Sequence, residues 1–95
     1  MNLKKVKVIE LVTPHCGVCK MIAPAVDAAL KELGDVEFSK LCIGVDPEAM
    51  DLAKEYGITQ VPTFLFYVDG TLSLDRLSGT VSKDTLVSTV RDLQK

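Results

Sequence analysis

The sequence has no tryptophan, a single histidine and only three cysteines among its 95 residues. An odd and small number of cysteines excludes a framework of paired disulfides in place of a core. No apolar run approaches the roughly 20 residues that a membrane-spanning helix needs. The formal net charge of -2 argues against nucleic acid or an anionic membrane as the main partner, because both attract basic surfaces.

What remains is the composition of an ordinary globular domain, with 47% hydrophobic and 25% charged residues. The length suits one small domain, and the chain contains no repeat, linker or low-complexity tract. We therefore predict a single domain over residues 1–95. The opening MNLKKVKVIELV is charged and then apolar like a signal peptide, but it lacks a small-residue cleavage site. We expect mature sequence and a cytoplasmic protein.

Hydrophobic periodicity predicts seven elements in the order β-α-β-α-β-β-α. The first two strands are joined through a helix, so we expect them to be parallel with a right-handed crossover. Asp69 and Gly70 form a hairpin turn signal, which makes the last two strands antiparallel. The predicted elements are, in chain order, 4–12, 18–33, 36–43, 47–56, 62–68, 71–77 and 83–93.

Side-chain patterns assign faces and caps to these elements. Val6, Val8 and Val12 share one face of the first strand. Asp46 and Ser82 are expected to cap the second and third helices at their N-termini. The first helix carries one broad apolar stripe, formed by Met21, Ile22, Ala25, Val26, Ala29, Leu30 and Leu33.

Two cysteines, Cys16 and Cys19, stand two residues apart where the first strand gives way to the first helix. The unpaired N–H groups and partial positive charge of a helix N-terminus favour the thiolate form of the first cysteine. Two intervening residues also let the sulfurs bond without a large backbone movement. The pattern predicts a redox-active dithiol, with Cys16 as nucleophile and Cys19 as resolving thiol.

Two other interpretations of the cysteines were weighed. A structural metal site would draw on His15, Cys16, Cys19 and Cys42, which formally supply four ligands. However, His15 and Cys16 are adjacent and poorly placed to bind one ion, and Cys42 lies within a predicted strand. A purely structural disulfide would close too short a loop to add much stability. We therefore expect no metal and no other cofactor, and interpret Cys42 as a small buried residue whose alternative is a third redox-active thiol.

Longer motifs carry a family resemblance. CGVCKMIAP at residues 16–24 resembles the active site of the thioredoxin family, whose usual form is WCGPCKMIAP. VPTF at residues 61–64 resembles the family's cis-proline loop, and VDGTL followed by Gly79 resembles its hairpin and groove glycine. The resemblance covers the chain from about Val6 onwards, without the family's extra N-terminal strand and helix. It implies an α/β thioredoxin-like fold, a four-stranded mixed sheet flanked by helices, in a short form also seen in glutaredoxin-like proteins.

The resemblance also implies roles for residues outside the cysteine pair. Glu10 falls where thioredoxins carry a buried aspartate, and it would act as general base for Cys19. The alternative is a strand end from which Glu10 reaches solvent. Lys40 matches a family lysine near that acid, where its charge would favour the carboxylate; a solvated strand lysine is the alternative.

In the same way, Pro62 is expected to be a cis-proline facing the cysteines. Val61 would offer its backbone N–H and C=O to an extended stretch of a client, as an added strand does. Gly79 would border the same groove.

Three departures from the family pattern lie around the cysteines. In the dipeptide Gly17-Val18, which tunes the redox potential in this family, Val18 replaces a proline that would stiffen the turn. His15 replaces the tryptophan, and the residue before it, Pro14, is also unusual. If protonated, His15 would stabilise the Cys16 thiolate and shift the protein towards the oxidant end. A solvated loop histidine is the alternative.

The predicted function is reduction of protein disulfides by dithiol–disulfide exchange. The implied partners are a thioredoxin-reductase-type electron donor and disulfide-containing clients, with the protein acting as a monomer. One alternative is a glutathione-linked, glutaredoxin-like oxidoreductase: the short length favours it, whereas Ser78-Gly79-Thr80 in place of Gly-Gly and an acidic residue favours protein substrates. The other is a non-catalytic thioredoxin-fold module that binds metal or serves as an adaptor.

Overall fold

A computed structural model describes residues 3–95, so the first two residues of the predicted 1–95 domain lie outside the described part. All seven predicted elements are present in the predicted order, with ends within two residues of those expected. No helix in the described chain is long and apolar enough to cross a membrane. The elements are β1 (Val6–Val12), α1 (Gly17–Leu33), β2 (Glu37–Cys42), α2 (Pro47–Glu55), β3 (Thr63–Val68), β4 (Thr71–Ser78) and α3 (Lys83–Gln94).

The four strands form one mixed sheet in the order β2-β1-β3-β4. β1 is parallel to β2 and antiparallel to β3, and β3 and β4 form the predicted hairpin. The parallel register places Glu10 beside Lys40 and Val12 beside Cys42. Since β1 is hydrogen-bonded on both edges, the segment that leads directly into the cysteine pair lies in the middle of the sheet.

The hydrophobic core lies on both faces of the sheet. On one face, Val6 and Val8 pack with Phe64, Phe66 and the inner sides of α1 and α3. On the other face, α2 covers a smaller cluster of buried residues, which comprises Ile9, Leu11, Ala49 and Leu65. Alternation singled out only the face of β1 that carries Val6, Val8 and Val12, but both faces are buried.

Two expectations about helices are wrong. Met21 belongs to the predicted stripe of α1 but is 62% exposed, because the sheet and α3 cover a narrower face centred on Ile22, Val26 and Ala29. The Asp46 side chain does not cap α2; its carboxylate instead accepts a hydrogen bond of 2.8 Å from the Cys42 N–H. Asp46 therefore fixes the end of β2 to the start of α2.

The third helix begins as predicted. The Ser82 hydroxyl accepts a hydrogen bond of 3.1 Å from the Thr85 N–H, which satisfies one of the free donors of the first turn. Leu86, Val87 and Val90 are buried against the first face of the sheet. The cap and this apolar side hold α3 against α1, the helix whose N-terminus carries the cysteines.

Candidate active site

Cys16 and Cys19 form a disulfide at the N-terminus of α1. Cys16 is the N-cap residue with an extended backbone, and its sulfur accepts a hydrogen bond of 3.0 Å from the Cys19 N–H. Their Cα atoms lie 5.2 Å apart, within the ordinary range for a disulfide. When the bond is reduced, an N–H aimed at the Cys16 sulfur and the positive end of the helix favour a thiolate there.

The disulfide is largely enclosed by apolar neighbours. Cys16 and Cys19 are 8% and 9% exposed and pack with Val12, and Val61 and Cys42 lie against this cluster. Cys42 is a free thiol that is half-buried rather than buried, and its S–H points to the Ile43 carbonyl at 3.8 Å. The exposed residues at the helix N-terminus form a rim beside the disulfide.

That rim consists of the residues expected to modulate the cysteines. His15, Gly17 and Val18 are all exposed. Gly17 is the first residue of α1, and nothing lies within 4 Å of the position where a Cβ would sit. Space does not require glycine there, and the rim is open to an incoming partner.

Glu10 is a buried carboxyl group in β1, the strand that leads to the cysteine pair. It is 2% exposed and lies in β1 two residues before Val12, so the structure places it inside the protein rather than at a solvent-facing strand end. Burial raises the pKa of Glu10, the Lys40 charge opposes that rise, and the charge of Asp27 adds to it. Lys40 itself is exposed, so its charge reaches Glu10 from the edge of the sheet.

On the other side of β1, the loop before β3 is held in one conformation. The Val61–Pro62 bond is cis and Pro62 is buried. The Pro62 carbonyl accepts a hydrogen bond of 3.0 Å from the Gly79 N–H. The Thr63 hydroxyl donates to the Gln60 carbonyl and lies 3.1 Å from the hydroxyl of Ser78.

Gly79 has little freedom to change. Its φ of +78° is strained for any other residue, and a Cβ there would lie 3.4 Å from the Gln60 side-chain nitrogen. Gln60 and Thr63 were not singled out in the sequence analysis. The only sequence signal for them is their place around the VPTF motif, because their contacts form across the hairpin.

A cleft of about 170 Å³ opens beside the disulfide, on the side of β2. It brings Lys40 together with both cysteines and adds Lys20, which sequence reasoning also missed. Among residues 3–95, no group of three or more His, Cys, Asp or Glu side chains is placed to hold a metal ion. The cleft is lined by Val12, Thr13, Cys16, Cys19, Lys20, Ala23 and Lys40.

Comparison with known proteins adds to this geometry. The family model described as Thioredoxin matches residues 1–92. Thioredoxin H2 of Arabidopsis thaliana is 36% identical over 90 residues, which are 95% of this chain and 64% of the relative. Thioredoxin 1 of Synechococcus elongatus is 34% identical over 83 residues, which are 86% of this chain and 74% of the relative. The chain thus spans about two thirds to three quarters of their lengths.

The fold is likewise shared with solved structures. Fasciola hepatica thioredoxin superimposes with a TM-score of 0.78 at 36% sequence identity, covering 96% of this chain and 82% of that one. The thioredoxin-like fold expected from the sequence motifs is confirmed.

Proposed function

The chain belongs to the thioredoxin family, whose members are thiol–disulfide oxidoreductases, and from this premise we propose that it reduces protein disulfides by dithiol–disulfide exchange. The observation that carries the proposal is the Cys16–Cys19 disulfide at the start of α1. A pair of sulfurs in this position can take up and give back two electrons without rearranging the fold.

The exchange begins with the reduced protein. The Cys16 thiolate attacks one sulfur of a client disulfide, that S–S bond breaks, and the departing client sulfur leaves as a thiol after taking up a proton. Cys16 is then joined to the client. The Cys19 thiolate attacks the Cys16 sulfur, which releases the second client thiol and closes the Cys16–Cys19 disulfide.

Glu10 is the proposed base for the second step. A carboxyl group accepts a proton most usefully when its pKa lies closer to the working pH, and burial moves the pKa of Glu10 in that direction. The positive charge of Lys40 would favour the carboxylate form of Glu10. Since the Cys19 side chain is 9% exposed, few water molecules reach it to act as the base instead.

The client is proposed to bind along the loop before β3. Val61 packs against the cysteine cluster, so a client strand that paired with its main chain would come close to the disulfide. The Gly79–Pro62 hydrogen bond holds this loop to the hairpin. Gly79 has no side chain, which would leave room for the client backbone.

We also propose a reductase of the thioredoxin-reductase type as electron donor, with this protein as a monomeric electron carrier. A compartment that keeps thiols reduced, such as the cytoplasm, suits a protein that must be reduced before each turnover. One domain over residues 1–95 stays a prediction. Size-exclusion chromatography tests the monomeric state, cell fractionation tests the compartment, and limited proteolysis tests the single domain.

Reduction of insulin tests the proposal against its alternatives. With a thioredoxin reductase and its electron source, we expect precipitation of the reduced insulin B chain at a rate proportional to the protein concentration. Strong activity with glutathione alone would establish the glutaredoxin-like alternative. Near-stoichiometric metal bound by Cys16 and Cys19 in freshly purified protein would establish the metal-binding module instead.

A further inference from the structure

The cleft beside the disulfide has a charge opposite to that of the whole protein. The chain carries a formal charge of -2, yet the residues that line the cleft include two lysines and no acidic residue. Lys20 projects from the first turn of α1, where its N–H bonds to the Cys16 carbonyl at 3.3 Å. Lys40 comes from β2, so two different elements each contribute a lysine to the lining of the cleft.

Lys20 has no part in the proposed chemistry, and Lys40 acts there only through its charge on Glu10. The ion pairs within 4 Å among residues 3–95 involve Lys7, Lys83, Arg91 and Lys95, and neither Lys20 nor Lys40. Glu10 is paired with Lys40 in the register of β1 and β2, and burial favours the neutral form of that carboxyl by raising its pKa. The positive charge of the cleft is therefore available to a partner.

The size of the cleft limits what that partner can insert. Pockets that take a free small molecule usually measure about 300–1,000 Å³, whereas this cleft measures about 170 Å³. It suits one side chain and is small for a whole tripeptide such as glutathione. Because Cys16 and Cys19 are part of its wall, that side chain must belong to a residue close to the client's own disulfide.

On these grounds we propose that the cleft lined by Lys20 and Lys40 is a subsite for an acidic side chain, Asp or Glu, adjacent to a disulfide cysteine of a protein client. This inference rests on the proposed function and names the client class that it favours. The exchange itself is unchanged: the client disulfide gains two electrons and becomes two thiols, and Cys16–Cys19 becomes the disulfide. The subsite acts by holding the client sulfur near Cys16.

The test uses symmetric disulfide dimers of two blocked tripeptides, acetyl-Glu-Cys-Glu-amide and acetyl-Gln-Cys-Gln-amide. Fully reduced protein is mixed with each, and the second-order rate constant for thiol release is measured at low salt. Dividing by the rate constant for the neutral reductant dithiothreitol removes the intrinsic reactivity of each peptide. Exposed ion pairs are individually weak, so we expect the Glu peptide to be favoured about threefold, although the net charge of -2 predicts the opposite preference.

Variants assign the preference to the cleft. Lys20→Gln with Lys40→Gln should reduce the Glu-to-Gln ratio to one or below, and 0.5 M salt should do the same in the parent protein. Lys31→Gln changes one unit of charge in the last turn of α1, away from the cleft, and should leave the ratio intact. Each Glu-to-Gln ratio compares two peptides reduced by the same variant. Any effect of Lys40→Gln on Glu10, or on the rate of the exchange step itself, therefore cancels.

Each other result overturns the inference. A parent ratio of one or less, a ratio that survives the double substitution, or an equal loss with Lys31→Gln would each exclude the subsite. Glutathione disulfide is measured beside the peptides. If the double substitution lowered its rate of reduction more than that of the Glu peptide, the ligand would be a low-molecular-weight thiol. If the protein reduced neither peptide, the proposed function would fail as well, whereas reduction of both without preference removes only the subsite.

Discussion

The two neighbours of β1 in the sheet give the disulfide two different sides. On the proline side, before β3, the uncharged residues Val61, Pro62 and Gly79 lie together, and a backbone hydrogen bond joins Gly79 to buried Pro62. On the lysine side, towards β2, Lys20 and Lys40 line a cleft, with buried Glu10 behind it in β1. The proline side is fixed by backbone conformation and the lysine side by charge.

The two sides can therefore have different tasks in binding and reducing a client. Backbone groups are the same in every client, so the proline side would bind extended chains without regard to sequence. Charged side chains distinguish one client from another and respond to salt and pH. General affinity would then come from one side, and selectivity and proton transfer from the other.

The largest effect is expected where the two sides meet. Cys16→Ser should abolish insulin reduction, because it removes the nucleophile that both sides serve. Cys19→Ser should instead accumulate a covalent complex with the client, since the second attack is missing; intact-protein mass spectrometry detects it. If Cys16→Ser trapped the client and Cys19→Ser did not, the nucleophile would be Cys19.

Glu10→Gln tests the lysine side. We expect release of the client from the mixed disulfide to slow by at least tenfold near neutral pH, because a general base contributes a factor of this order or more. Rapid-mixing measurements of the second step, with the first step as internal control, provide the rate. An unchanged rate would contradict the assignment of Glu10 as base.

The same substitution has a defined pH dependence for stability. Burial raises the pKa of Glu10 above its ordinary value of 4.5, so the folded state binds the proton more tightly than the unfolded state. Stability of the parent should therefore fall as pH rises from about 4.5 through the folded-state pKa, and Glu10→Gln should lack this fall. The hydrogen bond and ion pair with Lys83 lower the pKa of Glu32, so the contribution of Glu32 to stability should rise with pH. Glu32→Gln should lack this rise. Urea denaturation at several pH values measures both.

A pair of glycines tests the proline side. Gly79→Ala forces an alanine to φ +78° and should lower the free energy of unfolding by about 1 kcal/mol, together with the rate of client reduction. Gly17→Ala meets open space at the start of α1 and should be neutral or stabilising by about 0.5 kcal/mol. Urea denaturation at fixed pH compares them; equal losses would show that the backbone at Gly79 is not special.

The smallest effect is expected on the rim in front of both sides. His15→Ala removes the side chain expected to favour the Cys16 thiolate, so the reduction potential should fall by about 10 mV at low salt and less in 0.5 M salt. This follows from an exposed interaction of about 0.5 kcal/mol and 30 mV per 1.4 kcal/mol. Equilibration with a glutathione redox buffer gives the potential. A shift equal at low and high salt would show that histidine charge is not the cause.

Sequence reasoning reached further on the proline side than on the lysine side. Cys16 and Cys19 were found from their spacing at the start of a helix, and Pro62 from the resemblance of VPTF to the family's cis-proline loop. Lys20 was missed because its importance depends on Lys40, which comes from another element across the sheet. Thr63 was missed for a similar reason, since its hydroxyl meets that of Ser78 only when the hairpin closes.

Burial followed the same pattern. Helical spacing correctly placed Ile22, Val26 and Ala29 in the core, but it included Met21 because periodicity does not show how wide a face the neighbours cover. Alternation in β1 suggested one buried face, whereas Ile9 and Leu11 are buried by α2 on the other. Both differences arise from packing between elements distant in the chain.

The central position of β1 has a consequence for how the protein tolerates repeated turnover. A strand bonded on both edges and enclosed on both faces loses its amide protection only when the whole molecule opens. Hydrogen exchange at Ile9 and Leu11 should therefore proceed at the rate of global unfolding in the oxidised and the reduced protein alike. The cysteines would thus change between disulfide and dithiol while β1 keeps its hydrogen bonds.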